Sequence, residues 1–537
     1  MITQKKMKTL VVGCGLTDHW FDILLDLNNQ DNGCLDIFYW VYSIPLGDRD
    51  KTIERQKEFP NTFFATAMDA IKAIPSKQVL NECLDEEMLR SFVEHEPIVM
   101  SMLDRMDPGN CFTYAERRRH YSRLLKYWIA VINEEDPELI LFPQAPHMVY
   151  DYIIYMIAEQ KGIEMLITNV NSALGRIMLA GKIEGIYERM FEAYNAHLKG
   201  KDKILDSDEE KLISTHISNL QKSYDQAKPH YMKMLEQRNE KLSVKSNNIF
   251  IKYAKSFYWK AKTFQKQIKE ILQKPASPPE NYLKKKGVPM EQAGYNSVEW
   301  IEQKKQERLF KSDLRELYES LSISKIDSTQ KSVYIPLHYQ PETTTCPEGG
   351  YFTDQQMMVE MFSVLLPDDW TIYVKEHYLQ LQDNASKGHH CRDKQYYHDL
   401  AEMPKVRLVS LDVDSFELID NCDIVATVLG YAAWESMVRG KPAFLFGRPW
   451  FSAFKNAYII KSKQDFINAF DEVQNNPKKI QNNEIETYLR VYFAVSFAGF
   501  TSMWNRDVVK ITEEQNIQNF VQNIRSYLLE KNNEKIT

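Results

Sequence analysis

Charged and polar residues follow several apolar, strand-like runs between residues 332 and 450. Lys375 ends the run WTIYVK and His377 follows it, while Glu435 lies about one helical turn after Gly430, which ends the run DIVATVLG. Lysine, histidine and the free amides of a helix start can hold phosphate charge. A glutamate at this place can accept hydrogen bonds from sugar hydroxyls. The pattern predicts half of a nucleotide-sugar site.

Other residues of the same stretch are further candidates for this site. His338, Tyr339 and Gln340 follow the run SVYIPL and are expected to line the binding cleft, with Glu342 or Glu348 near the transferred sugar. Two more candidates for binding are Arg392, near the donor phosphate, and Tyr431, directly after Gly430. The adjacent His389, His390 and Cys391 cannot easily all face one metal ion, so we expect neither a metal site nor a cofactor.

The elements that must position these residues alternate between strands and helices. Strand-like runs at 332–337, 370–375, 406–411, 423–430 and 442–447 are separated by helix-like segments, including SFELIDN and AAWESMVRG. This alternation predicts βαβ units and a parallel sheet. In such sheets ligands bind at the carboxyl ends of the strands, where the candidate residues lie. LDVD (411–414) precedes a helix and is predicted to cap it.

Three segments in this order resemble the capsule polysaccharide biosynthesis family, which includes bacterial Kdo (keto-deoxy-octulosonate) transferases. They are PLHYQPETTTCPEGGYFTDQ, YVKEH and VLGYAAWESMVRGKPAFLFGRPWF, and residues 143–167 resemble the family more weakly. The resemblance implies an α/β fold of GT-B type, with two Rossmann-like domains facing a cleft. It also implies a metal-independent glycosyltransferase whose nucleotide-sugar donor, with CMP-linked sugars favoured, is held by the C-terminal domain. The acceptor would be a glycan or glycolipid of capsule or lipopolysaccharide biosynthesis.

Candidate catalytic residues of the amino-terminal half follow two predicted strands. The run KTLVVGCG (8–15) ends in a glycine turn before Asp18 and His19, and the run LILF is followed by a loop that contains His147. In a GT-B enzyme both loops face the acceptor, so these residues and Glu342 are the candidates for catalysis. The alternatives are helix capping by Thr17 or Asp18 and a structural role for His147. The arginines at 117–119 are either a solvated face or a site for an anionic ligand.

The length and composition indicate a folded chain of several domains. We predict a Rossmann-like acceptor domain at 1–189, a helical and partly basic insertion and linker at 190–330, a Rossmann-like donor domain at 331–490, and C-terminal helices at 491–537 that cross back. The net charge of −7 argues against nucleic acid as a partner. Scattered cysteines, no signal-like amino terminus and no long apolar run predict a cytoplasmic protein.

Residues 241–286 contain twelve lysines and two glutamates, with an apolar stripe at helical spacing. Such a helix can lie on an anionic membrane, at the inner face of the cell membrane, or can pack its stripe on the protein with solvated lysines. Two other functions remain open. One is a polyol-phosphate transferase of the teichoic-acid kind, and the other is a non-catalytic glycan assembly or export partner.

Overall fold

The computed structural model of the protein describes a defined set of residues. These are 6–29, 33–42, 49–73, 82–106, 112–197, 205–222, 310–340, 342, 345–382, 391–501, 506 and 509–536. The basic segment 241–286 and the histidines at 389 and 390 lie outside the described residues.

The amino-terminal half is built on a seven-stranded sheet. Its strands are β1 (Met7–Val12), β2 (Leu35–Tyr42), β3 (Phe63–Thr66), β4 (Leu139–Phe142), β5 (Glu164–Asn171) and β6 (Arg176–Ala180), with β14 (Phe497–Ala498) from the C-terminal segment. The order is β14-β6-β5-β4-β1-β2-β3. The first five strands are parallel, whereas β6 and β14 are antiparallel to their neighbours.

The second sheet also has seven strands. They are β7 (Ser322–Ile323), β8 (Lys331–Pro336), β9 (Trp370–Lys375), β10 (Val406–Val409), β11 (Ile424–Thr427), β12 (Ala443–Leu445) and β13 (Ala457–Ile459). The order is β13-β12-β11-β8-β9-β10-β7, and every pairing is parallel. Two parallel-dominated sheets with helices between their strands confirm the predicted α/β fold of GT-B type.

Helices connect the strands in both halves. The first half and its extension contain α1 (His19–Asn28), α2 (Arg49–Gln56), α3 (Ala67–Lys72), α4 (Glu86–Ser91), α5 (Glu96–Met106), α6 (Tyr114–Glu135), α7 (Tyr150–Lys161), α8 (Gly185–His197) and α9 (Ser207–Leu220). The second contains α10 (310–321), α11 (Gln356–Leu365), α12 (Lys394–Glu402), α13 (Ser415–Asn421), α14 (Tyr431–Val438), α15 (Lys463–Asn475), α16 (Asn482–Ala494) and α17 (Glu513–Ile536).

Side-chain alternation along the strands explains why the second sheet is covered on both faces. Val333 and Ile335 of β8 pack in one core cluster, whereas Tyr334 between them packs in another on the opposite face. Successive strand residues point to opposite faces, so a strand covered by helices on both sides is apolar throughout. The helices α11 and α13 contribute to these two layers with Phe362 and Phe416, respectively.

The C-terminal segment crosses back to the first sheet. The strand β14 pairs with β6, and α17 packs on α1, where the rings of Phe520 and Trp20 lie 5.0 Å apart. Arg525 of α17 also donates to Asp26 of α1. The predicted C-terminal helices at 491–537 are interrupted after Ala494, where β14 completes the edge of the first sheet.

The apparent absence of strands between 190 and 330 is wrong at β7, which pairs with β10 and is too short to give a period-two pattern. The predicted cap before α13 is confirmed, since the Asp414 carboxylate accepts from the amides of Phe416 and Glu417.

In the part of the chain that the structure describes, no helix is both long and apolar enough to cross a membrane.

Candidate functional site

His338 organises the carboxyl ends of β8 and β11. Its Nε2 lies 2.9 Å from Thr427 Oγ1 and accepts a hydrogen bond of 3.3 Å from the Leu429 amide. Because an amide can only donate, the ring hydrogen lies on Nδ1, which donates to Glu342 over 2.8 Å. The loop after β8 is thereby fastened to the turn that precedes α14.

Gly430 begins α14 and must be glycine for steric reasons. A Cβ there would lie 2.6 Å from Thr427 Oγ1 and 3.4 Å from the His338 ring. Gly430 is the N-cap residue and offers no side chain to the amides of the first turn. Uncapped amides at a helix start bind anions well, because they carry the positive end of the helix dipole.

Lys375 and Glu435 are each connected to neighbours of Ser415 and Tyr334. The Lys375 ammonium donates to the Val413 carbonyl and lies 3.5 Å from Ser415 Oγ. Ser415 in turn bonds the hydroxyl of Tyr334, whose pKa is raised by burial and also by Glu435. Burial raises the pKa of Glu435 to about 7. Lys375 ends β9 and Glu435 lies in the helix after β11, so both lie toward the carboxyl-end side of the second sheet, on either side of β8.

A buried ion pair follows β9. The guanidinium of Arg392 donates from Nε to Glu376 Oε2 over 2.8 Å, and the Tyr397 hydroxyl donates to the same oxygen over 2.8 Å. The other carboxylate oxygen accepts from the His377 amide over 2.7 Å. Burial lowers the pKa of His377. Arg392, which we predicted near the donor phosphate, is thus bonded to Glu376 and to the His338 carbonyl.

Tyr339 and Gln340 lie in the same loop as His338. The Tyr339 ring lies 5.8 Å from the His377 ring, so these two predicted residues are neighbours. The Gln340 amide donates to Gln380 Oε1, and Gln380 Nε2 donates back to the Gln340 carbonyl over 3.0 Å. This reciprocal pair holds the loop against the turn after β9.

The Tyr431 hydroxyl is bonded to a histidine of the first half's extension, and burial followed by the nearby Glu435 carboxylate raises the Tyr431 pKa. Its hydroxyl lies 3.0 Å from Nε2 of His216 in α9, and the Trp434 indole donates to the same nitrogen over 3.2 Å. Burial lowers the pKa of His216 to about 4, in keeping with a ring that accepts two hydrogen bonds. Tyr431 therefore connects α14 to α9, and its role in substrate binding stays a prediction.

His147 is held in the loop after β4 with one nitrogen left for chemistry. Its Nδ1 lies 2.9 Å from the Ala145 carbonyl and donates to it, so Nε2 is the ring nitrogen that this contact does not use. Asp151 accepts from the Met148 amide over 2.6 Å, which shapes the loop, and burial raises the pKa of Asp151 to about 6.

Asp18 and His19 lie at the start of α1. Asp18 is its N-cap and accepts a hydrogen bond of 2.9 Å from the Trp20 amide, as in the capping alternative. His19 is buried and lies about 6 Å from the rings of Phe500 and Phe520. The structure does not join these two residues to the Glu342 loop by any contact among the described residues.

Arg105 of α5 does join the two halves. Its Nη1 donates to the carbonyls of Glu342 and Cys346, over 3.1 and 2.9 Å, and its Nη2 donates to the His147 carbonyl. Cys346 packs in the core of the amino-terminal half. The loop after β8 therefore reaches across to α5, and the candidate residues His147 and Glu342 share one partner. We call this contact region the junction.

A protein-family model matches residues 342–479, and its description is capsule polysaccharide biosynthesis protein. Residues 342–479, called the family region below, therefore resemble this family. The matched region contains Glu342 and the turns after β9, β10, β11 and β12. It also contains most of the candidate binding residues. Comparison with curated proteins gives no match.

Solved structures with similar folds were also found. A β-Kdo 2,7 transferase, KpsC from Thermosulfurimonas dismutans, is 13% identical with a TM-score of 0.24, and the match covers 42% of this chain and 62% of that one. HepE from Anabaena, solved with UDP-glucose, is 10% identical with a TM-score of 0.23, covering 97% and 100%. The chain thus spans less than two thirds of the KpsC chain. At these TM-scores the likenesses carry no weight for the site.

Several residues of the family region and its surroundings were missed in the sequence. Glu376 is part of the quoted motif YVKEH, yet nothing local indicates that it pairs with Arg392. Arg105 gives no local signal, because its partners lie more than 40 residues away or on the other half. The arginine cluster is largely paired, with Arg117 on Asp104 and Arg118 on Glu96.

The family region also contains a carboxyl group that is protonated near neutral pH. Burial, followed by the nearby Glu342 carboxylate, raises the pKa of Glu348 to about 8. In the unfolded chain the group ionises near 4.5. Between these values the folded state holds the extra proton, so the free energy of unfolding falls as the pH rises through this window and is level above it.

We therefore expect Glu348→Gln to flatten the pH dependence of stability. Glutamine resembles the protonated acid but does not titrate, so its contribution to stability does not fall as the pH rises. The thermal midpoint of the variant minus that of wild type should therefore increase by a few degrees between about pH 5 and about pH 9. Differential scanning fluorimetry at both pH values measures this. Glu360→Gln, at an exposed glutamate of α11, is the control. Parallel curves for wild type and Glu348→Gln would contradict the expectation.

Proposed function

We propose that this protein transfers a sugar from a nucleotide-activated donor to a glycan acceptor in the biosynthesis of a capsule or related surface polysaccharide. The observation that supports this best is the cluster at the carboxyl ends of β8, β9 and β11, within and beside the family region. It combines Lys375, Glu435 and the uncapped start of α14. These are groups suited to a nucleotide diester or diphosphate and its ribose.

Donor binding would use the second half of the chain. The amides of the first turn of α14 and the Lys375 ammonium would meet the phosphate charge, and the Glu435 carboxylate would accept from ribose hydroxyls. Fixed donors of this kind stabilise the negative charge that grows on the leaving nucleotide. His338 and Gln355, which accepts from the His338 amide over 2.6 Å, would hold the loop in place.

Transfer itself would take place at the junction. Nε2 of His147 would take the proton from the attacking hydroxyl of the acceptor as a general base. The Glu342 carboxylate, fixed by His338 Nδ1, would stabilise positive charge at the anomeric carbon. The new glycosidic bond forms as the bond between the sugar and the nucleotide phosphate breaks. The nucleotide leaves, and the proton of the acceptor hydroxyl is held on His147. In this proposal Arg392 holds the end of β9 in place through its ion pair with Glu376.

The preferred donor is a CMP-linked sugar, and the acceptor is a glycan or a glycolipid. The division into an acceptor domain, a helical insertion, a donor domain and returning C-terminal helices is part of the same proposal. So is a cytoplasmic location with contact to the inner face of the membrane through 241–286.

A nucleotide screen tests the donor site. We expect one nucleotide among CMP, CDP, UDP, GDP and dTDP to raise the thermal midpoint of the wild-type chain by several degrees at saturating concentration. Lys375→Met and Glu435→Gln should lose most of this shift, because each removes a charged group of the cluster. Scanning fluorimetry with a titration of each nucleotide is the measurement.

Lys331→Met is the matched control for the screen. Lys331 lies in the same sheet, but at the amino end of β8, and is exposed beside Asp369. Its nucleotide response should equal that of wild type. If no nucleotide stabilises a folded wild-type protein, the transferase proposal fails and a non-catalytic assembly role takes its place. A product that contains phosphate would instead identify a polyol-phosphate transferase.

A further inference from the structure

Arg105 carries a charge that its observed partners do not neutralise. It lies in the last turn of α5 and donates to the carbonyls of His147, Glu342 and Cys346. Carbonyl oxygens are neutral acceptors. Among the residues that the structure describes, no carboxylate lies within ion-pair distance of this guanidinium.

The nearby acids are already occupied by other groups. Asp104 accepts from Arg117 over 2.6 Å, and the Glu342 carboxylate accepts from His338 over 2.8 Å. The contrast with Arg392 is direct, since that buried guanidinium has its own carboxylate at 2.8 Å. Arg117 is likewise paired with an acid, Asp104.

The guanidinium of Arg105 also keeps donors for a ligand. Arginine has five N–H groups. The two on Nη1 and one on Nη2 account for the three carbonyl contacts. Among the residues that the structure describes, Nε has no hydrogen-bond partner. Nε and Nη2 form the edge of a guanidinium that matches the two oxygens of a carboxylate or phosphate. The residue as a whole is half-buried.

We propose that Arg105 binds an anionic group of the ligand at the junction, either a sugar carboxylate or a phosphate. The three carbonyls fix the guanidinium between the loops of His147 and Glu342, where the proposed function, on which this inference rests for its ligand, places the reacting sugar. Recognition of an acidic sugar would use the same planar, paired contact. Arg105 is then a binding residue in addition to a link between the halves.

The test uses the full chain with two simple anions as probes. Glucuronate represents the carboxylate and inorganic phosphate represents the phosphate, while glucose and chloride at equal ionic strength are the blanks. We expect one of the two anions to stabilise the wild-type protein, and Arg105→Gln to weaken its apparent affinity about tenfold or more, as for a lost charged hydrogen bond. Thermal-shift titration gives both values.

Further variants separate anion binding from a purely structural link. Arg105→Lys keeps the positive charge and should retain part of the stabilisation by the anion. If Arg105 only connects the two halves, Arg105→Lys and Arg105→Gln should change the anion response equally. Arg118→Gln, at an exposed arginine paired with Glu96, should respond as wild type does. Phosphate could bind at the donor cluster or at Arg105, and Lys375→Met distinguishes these two places. The variant should weaken phosphate binding at the donor cluster and leave phosphate binding at Arg105 unchanged.

The outcomes also separate this inference from the proposed function. A wild-type protein that is stabilised by a nucleotide but by neither anion, or an Arg105→Gln variant with unchanged anion affinity, overturns the anion site and leaves the transferase proposal. Stabilisation by glucuronate that Arg105→Gln loses, without any nucleotide response, supports the anion site and overturns the donor site.

Discussion

Replacing Glu376 with glutamine is expected to destabilise the second half of the chain by about 3–5 kcal/mol. The Glu376 and Arg392 side chains are 0% and 4% exposed, and their charged atoms lie 2.8 Å apart. Burial by itself lowers the pKa of Arg392, but the Glu376 carboxylate outweighs it, so that the guanidinium stays charged. Glutamine would leave that charge buried without a counter-charge, which costs far more than the lost hydrogen bond.

Urea unfolding followed by tryptophan fluorescence measures the loss, with the transition of each half fitted separately because a chain of this size need not unfold in one step. Glu86→Gln is the control, since Glu86 pairs with Arg90 on an exposed surface where both side chains are more than three quarters exposed. An exposed pair contributes at most about 1 kcal/mol. If Glu376→Gln and Glu86→Gln lower the free energy of unfolding equally, the buried pair contributes no more to stability than the exposed pair.

The double variant Glu376→Leu, Arg392→Met refines this result. It removes both charges and keeps the volume, so it should recover much of the stability that Glu376→Gln loses. The nucleotide response should not recover with it, because Glu376 also accepts from the His377 amide and so shapes the turn after β9. Recovery of both properties together would mean that this turn takes no part in donor binding.

The sequence predicts the repeated elements of this fold well because their signals are local. The runs at 370–375 and 415–421 become β9 and α13 with the same bounds, since an apolar strand and a capped amphipathic helix are defined by neighbouring residues. Short edge strands escape prediction. β14 has two residues and follows a helical pattern, and its pairing with β6 depends on a contact across 320 residues.

The site is predictable only in part, for a related reason. Which residues follow the strands is evident from the chain, and the structure gathers His338, Lys375 and Glu435 at neighbouring strand ends. Which partner each side chain selects is not evident. Tyr431 bonds His216 at a separation of 215 residues, and Arg105 bonds Glu342 at a separation of 237. Such pairs follow from the packing of helices on the sheets, which no short segment encodes.

Replacing His147 with alanine is expected to reduce turnover by about 10²–10⁴-fold, the usual contribution of a general base. The Nδ1 contact with the Ala145 carbonyl does not use Nε2, and alanine removes that nitrogen while the loop keeps its anchor at Asp151. Release of free nucleotide from the donor identified by the screen, in the presence of acceptor glycan, gives the rate. Nucleotide binding should remain within about twofold of wild type, because the donor cluster lies in the other half.

His95→Asn is the matched control for this variant, since His95 is also half-buried and bonds the Tyr152 hydroxyl over 3.0 Å in the same half. It should keep wild-type turnover. Glu342→Gln should lose turnover to a similar degree as His147→Ala, and the double variant should be little worse than either, because two groups that act on one transition state are not additive. If His147→Ala retains turnover within about threefold of wild type, the base lies elsewhere. Asp18 would then be tested next, since it caps α1 in the loop after the neighbouring strand β1.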